Sequence, residues 1–147
     1  MDPKPVHILL IEDDQVDAEN IQRAFRRERI ANPITVVQDG VEALKVLRKN
    51  GDSLEQPYII LLDINMPRMN GLEFLRVLRA DPVLRRAIVF VLTTSEREED
   101  KVAAYEGNVA GYIVKNRAGE DFLEVTKMLR SYWRLVEFPP DAEAAAA

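Results

Sequence analysis

The sequence predicts an α/β fold, a doubly wound sheet of five parallel strands with five helices. Two observations carry this: five short apolar runs recur along the 147 residues, and segments with helical spacing separate them. A third sets the strand direction. The runs are continuous rather than alternating, which marks strands covered on both faces and therefore parallel strands joined by helical crossovers.

The strands are HILLI at 7–11, ITVV at 34–37, YIILL at 58–62, AIVFVL at 87–92 and GYIV at 111–114. After the first, Ile21, Ala24 and Phe25 share one helical face that reaches to Glu28 or Arg29. Val41, Leu44 and Leu47 trace the second helix, with Gly51 as its stop. Leu72, Leu75, Val77 and Leu78 trace the third, ended near Asp81 and Pro82. The fourth, from Glu96 to about Glu106, has few apolar positions. The fifth, from about Glu120 to Arg134, carries Phe122, Val125, Met128, Leu129 and Trp133. Beyond Phe138, PPDAEAAAA has no periodicity and reads as a frayed tail.

Length and composition narrow the function. One domain with a real core is expected, without linker or internal repeat. A formal net charge of -5 argues against nucleic acid, which demands a concentrated Lys/Arg surface. The absence of Cys removes disulfides, thiolate metal sites and cysteine nucleophiles together. No apolar stretch is long enough to cross a bilayer, and the N-terminus lacks a signal-peptide pattern, so the expected location is the cytoplasm.

Function in an open parallel sheet collects at the carboxyl ends of its strands. There the chain puts Glu12, Asp13 and Asp14 after the first strand, Asp63 after the third, Thr93, Thr94 and Ser95 after the fourth, and Lys115 after the fifth. Some of these have ordinary explanations: Asp14 as cap of the first helix, Thr94 or Ser95 as cap of the fourth, Lys115 as a solvated charge. Capping explains Asp63 poorly, because Ile64, Asn65 and Met66 lead to Pro67 and start no helix. Clustered carboxylates repel one another unless a cation neutralises them. Mg²⁺ suits such a cluster and leaves room for a phosphate oxygen. A carboxylate can also attack phosphorus, with an ammonium and a hydroxyl neutralising the charge that develops.

The ordered set IEDD, LLDINMPRMNG, VLTTS and GYIVK resembles the receiver domain of two-component response regulators, over nearly the whole chain from Val6 to Trp133. The resemblance implies a flavodoxin-like strand order 2-1-3-4-5, a receiver domain over 6–134 and a C-terminal extension over 135–147. It implies Asp63 as phosphoacceptor, and Mg²⁺ held by Glu12, Asp13, Asp63 and the backbone carbonyl of Asn65, with Glu12 acting mostly through water. Thr93 matches the hydroxyl that moves to the phosphoryl group, Lys115 its ionic partner, and Tyr112 the aromatic whose rotamer follows that hydroxyl. An edge-strand aromatic is the plainer alternative for Tyr112. Pro67 and Gly71 match the residues that shape the loop after the third strand.

ANPITVVQDGVEAL, LRADPVLRRAIVFVLTTS and SYWRLVEFP look like the single-domain regulators associated with bacterial phytochromes. That likeness implies a red-light-sensing histidine kinase as partner and a homodimer. Met128, Tyr132, Trp133, Val136 and Phe138 exceed what one helix face takes to reach the core, which suggests a second apolar surface.

Two positions depart from the family. Asn116 follows Lys115 where Pro is usual through a cis bond; cis before a non-proline residue costs roughly 2.5 to 4 kcal/mol, so this loop is trans or strained. Thr94 stands where many receivers have Ala, and its size narrows access to an acyl phosphate. The expected function is a phosphoacceptor switch whose output is contact with another protein or onward phosphorelay, not a turnover enzyme. A phosphohydrolase with an aspartyl-phosphate intermediate would have a second acid two residues after the nucleophile, and here that residue is Asn65. A degenerate interaction module would have lost an acceptor, metal or lysine position, and none is lost.

Overall fold

The computed structural model describes residues 5–48, 57–66, 68–117 and 122–140. Five strands, β1 (His7–Ile11), β2 (Ile34–Val37), β3 (Tyr58–Leu62), β4 (Ile88–Thr93) and β5 (Gly111–Val114), alternate with α1 (Gln15–Arg27), α2 (Gly40–Arg48), α3 (Gly71–Ala80), α4 (Glu98–Glu106) and α5 (Leu123–Leu135). All neighbours pair parallel in the order β2-β1-β3-β4-β5, as expected.

Successive side chains of a strand point to opposite faces, so a continuous apolar run feeds two cores at once. Leu9 and Ile11 of β1, Ile60 and Leu62 of β3, and Val89 and Val91 of β4 lie on one face under Ala43 and Leu44 of α2, Phe74, Leu75 and Leu78 of α3, and Ala104 of α4. Ile8 and Leu10, Ile59 and Leu61, and Phe90 and Leu92 lie on the other, under Ala18, Ile21, Ala24 and Phe25 of α1 and Val125 and Leu129 of α5. Each fully buried side chain of this size contributes about 1.5–3 kcal/mol. This sandwich holds the strand ends rigid.

Local signals set the helix ends. Asp14 caps α1, its carboxylate accepting from the N–H groups of Val16 and Asp17 at 2.9 and 3.1 Å. Asn70 caps α3 through Glu73 N–H at 3.0 Å. The fourth helix starts at Glu98, not Glu96, and its cap is Arg97, with no side-chain capping bond. Neither Thr94 nor Ser95 caps it: Ser95 Oγ instead accepts from Arg97 N–H at 3.3 Å and donates to Asp100 at 2.5 Å, shaping the turn before the helix. Only Ala104 of α4 is buried, in keeping with its sparse apolar pattern. α1 stops at Arg27 because Glu28 is its C-cap and Arg29 turns left-handed at φ 54°. The expected roles of Gly51, Pro67 and Glu120, and the tail from residue 141, lie outside the described residues.

Two tertiary ties were not legible in sequence. The Arg79 guanidinium donates to the carbonyls of Gly107, Arg85, Ala87 and Asn108, fastening the end of α3 to the loops around β4 and β5. Buried Asp39 caps α2 through Glu42 N–H at 3.0 Å and accepts from Arg68, whose Nε lies at 2.7 Å. Hydrogen bonds from Glu42 N–H and the Arg68 guanidinium outweigh burial and hold the Asp39 carboxyl below its ordinary range. Arg68 sits at φ 60°, and the pair joins the loop after β2 to the loop after β3.

At the C-terminus the aromatic residues are used within the chain. Trp133 stacks on Phe25 with ring centroids 6.5 Å apart, Tyr132 meets Phe90 edge-on at 5.0 Å, and Phe138 meets Tyr132 at 6.4 Å. Leu135 and Val136 remain exposed. Among the described residues no helix is long and apolar enough to cross a membrane.

Candidate functional site

Register brings the acids together. β1 and β3 pair Ile11 with Leu62, so the residues that follow, Glu12 and Asp63, emerge side by side at the carboxyl edge. Backbone bonds continue past the strands to fix both: Asp63 N–H reaches the Ile11 carbonyl at 3.0 Å, and Glu12 N–H the Val37 carbonyl at 2.9 Å. Thr93, the last residue of β4, is fully buried beside them.

Asp63 is buried and has a partner on each oxygen. Oδ1 accepts from the Thr93 hydroxyl at 2.9 Å and from Asn65 N–H at 3.0 Å, the second closing a tight turn at the start of the loop. Oδ2 accepts from Lys115 Nζ at 3.3 Å. Lys115 extends from the 3₁₀ turn Lys115–Arg117 directly after β5 and also meets Glu12 Oε2 at 2.9 Å and Asp17 Oδ2 at 2.7 Å. Burial would lower the Lys115 ammonium, but the hydrogen bond to Asp17 and the close Glu12 and Asp63 carboxylates outweigh it, so the group stays charged above its ordinary range. Glu12 moves the other way: burial first, then the neighbouring Asp63 charge, push its carboxyl up to about 8.

Carboxylate oxygens of Glu12, Asp13 and Asp63 lie within 4.8 Å of one another. Glu12 Oε2 is buried yet accepts no hydrogen bond, because its contact with Lys115 has the distance of an ion pair without hydrogen-bond geometry. Three hard oxygen donors with one buried lone-pair site unfilled fit a divalent cation. Asp13 and Asn65 are exposed.

A hydrogen-bonded path leads away from Asp63. Thr93 Oγ1, which donates to Asp63, accepts from Ser95 N–H at 3.4 Å, and the Ser95 carbonyl accepts from the Tyr112 hydroxyl at 2.9 Å. Tyr112 is half-buried against the core of the β4 and α4 side. Burial raises its phenol above the ordinary value. The other site residues expected from sequence are thus at this edge, and Tyr112 lies within β5, linked to them through Ser95. Sequence reasoning missed Asp17. Its signal was position: the first turn of a helix that begins directly after the acidic pair.

The family model of the response regulator receiver domain matches residues 8–127. The chain is 34% identical to response regulator Rcp1 of Synechocystis sp. over 131 residues, 88% of this chain and 89% of that protein. It superposes on the Mn(2+)-bound form of Rcp1 with a TM-score of 0.79 and 34% identity, covering 92% of this chain and 100% of that one. On the phosphorylated cyanobacterial phytochrome response regulator RcpA the TM-score is 0.80 at 31% identity, over 93% and 100%.

The chain therefore belongs to the response regulator receiver family of two-component systems, whose domains take phosphoryl groups from histidine kinases. Within that family it is related to the phytochrome response regulators.

Proposed function

We propose that the chain is a phosphorylation-driven signalling switch in which Asp63 accepts a phosphoryl group from the phosphohistidine of a histidine kinase. One observation carries this reading. A single buried carboxylate at the sheet edge contacts a strand-end hydroxyl on one oxygen and a lysine ammonium on the other, Thr93 at 2.9 Å and Lys115 at 3.3 Å. In the transfer an Asp63 oxygen forms a bond to phosphorus as the P–N bond breaks, and the leaving imidazole keeps the electron pair. With acetyl phosphate the P–O bond breaks instead and acetate leaves with the electron pair, and water later cleaves the acyl phosphate; the chain assists only its own modification.

Mg²⁺ held by Glu12, Asp13, Asp63 and the Asn65 carbonyl would neutralise charge on the transferred group. Thr93 and Lys115 neutralise the opposite side. Once phosphorylated, Asp63 no longer accepts from the Thr93 hydroxyl as a free carboxylate, and Thr93 turns to the phosphoryl oxygens. That breaks its contact with the Ser95 N–H and frees the segment that holds Tyr112. The switch is a population shift between two arrangements of this path.

The likeness to phytochrome response regulators supports a light-sensing histidine kinase as partner and a cytoplasmic setting. Exposed Leu135 and Val136 support a homodimer face at the end of α5. The signalling unit is residues 6–134, with 135–147 as an extension. Incubation with acetyl phosphate and Mg²⁺ tests the acceptor: intact mass should show one added phosphoryl group on wild type and none on Asp63→Asn. Labelling of both proteins, or of neither, would overturn it.

A further inference from the structure

Lys115 is bound by three carboxylates from three elements, and the shortest contact is to Asp17, a residue outside the cluster at the strand ends. Its Nζ lies 2.7 Å from Asp17 Oδ2, 2.9 Å from Glu12 Oε2 and 3.3 Å from Asp63 Oδ2. An ammonium has three N–H donors on a flexible four-carbon stem, and confining that stem costs rotamer entropy. A contact that exists before phosphorylation removes that cost from the binding of the phosphoryl group.

Asp17 is suited to this. It lies in the first turn of α1, whose start is fixed by the Asp14 cap, and Asp14 N–H in turn donates to Glu12 Oε1 at 3.1 Å. The beginning of α1 is thus tied to the same strand end that supplies the acids. On the other side Lys115 is followed by exposed Asn116 in a 3₁₀ turn. Side-chain bonding to α1 offers an orientation that does not depend on that turn.

Resting on the reading of Lys115 as partner of a phosphorylated Asp63, we propose that Asp17 is a positioning residue that holds the Lys115 ammonium over Asp63. When Asp63 carries a phosphoryl group, Lys115 keeps its bond to Asp17 and gives another N–H to a phosphoryl oxygen. Asp17 itself touches neither metal nor phosphorus.

Beryllofluoride, a non-covalent stand-in for the phosphoryl group, tests this by calorimetric titration at saturating Mg²⁺, with thermal melts confirming that each variant is folded. Asp17→Ala should bind it about tenfold more weakly, the loss of one charge-assisted hydrogen bond. Asp17→Asn, whose amide oxygen still accepts an N–H, should recover most of that loss. In a Lys115→Ala background, Asp17→Ala should add nothing. Wild-type affinity in Asp17→Ala, or a loss that persists without Lys115, would overturn the anchor while leaving the role of Lys115 intact. Wild-type affinity in Lys115→Ala alone would overturn the reading of Lys115 and the anchor with it.

Discussion

Glu12 should make the metal-free protein lose stability as pH rises. Its side chain is 1% exposed, and burial together with the Asp63 charge lifts its carboxyl from 4.5 to about 8. The folded chain keeps this proton up to about pH 8, whereas the unfolded chain releases it near 4.5. Between those values the folded state binds more protons, so stability is fully present below the window and is lost across it. At about 1.4 kcal/mol per pH unit the loss is bounded at about 5 kcal/mol. Exposed Asp13 lets solvent screen the cluster, which brings the expected loss to about 2–3 kcal/mol. For a chain of this size that is about 6–9 °C in melting temperature.

Glu12→Gln isolates the effect, because the amide has nearly the same shape and no charge at any pH. Melts of both proteins in chelator, from about pH 5 to about pH 8, should show the wild-type advantage over Gln shrinking by that amount. Mg²⁺ added at the high end should raise the wild-type melt more than the variant's, since binding to the folded state alone stabilises it. A wild-type advantage that is constant, or grows with pH, would refute the reasoning.

Two substitutions probe how the loops hold the acids. Gly71→Ala would put Cβ 2.5 Å from Ile64 Cα and 2.6 Å from the Asp63 carbonyl oxygen; both atoms are backbone, so the strand end must move, at about 1–3 kcal/mol in urea unfolding and with slower labelling by acetyl phosphate. Labelling at the wild-type rate would contradict that placement. Asp39→Ala removes the α2 cap and the partner of Arg68 together, and should lower urea stability by about 1–3 kcal/mol; a loss under about 0.5 kcal/mol would mean that the tie between the loops is not stabilising.

The three central strands were legible because each is an apolar run buried on both faces, and the half-buried edge strands β2 and β5 because each is still a short apolar run between helical segments. The proposed acceptor, metal, hydroxyl and lysine positions were legible because each ends a strand or follows one within three residues, so strand direction alone sends them to one edge. The partners of these residues were not. Asp17 meets Lys115 across 98 positions of sequence and Arg68 meets Asp39 across 29, and only the packed fold brings them together. Ser95 looked like a helix cap, since Ser at that place has two uses. Its hydroxyl bonds two residues on, and its backbone instead links Thr93 to Tyr112. The aromatic side chains near the C-terminus looked surplus because the far side of Phe25 and Phe90, which Trp133 and Tyr132 cover, is invisible to a helical wheel.

The measurement closest to the central claim is the site of the phosphoryl group itself. Acetyl phosphate and Mg²⁺ should convert Asp63 to an acyl phosphate, which borohydride reduces to homoserine. Peptide mapping should then find homoserine at position 63 and at no other acid, with none at all in Asp63→Asn. Homoserine at position 13 or 17, the five-carbon alcohol 2-amino-5-hydroxypentanoic acid at position 12, or homoserine that persists in Asp63→Asn, would contradict the account.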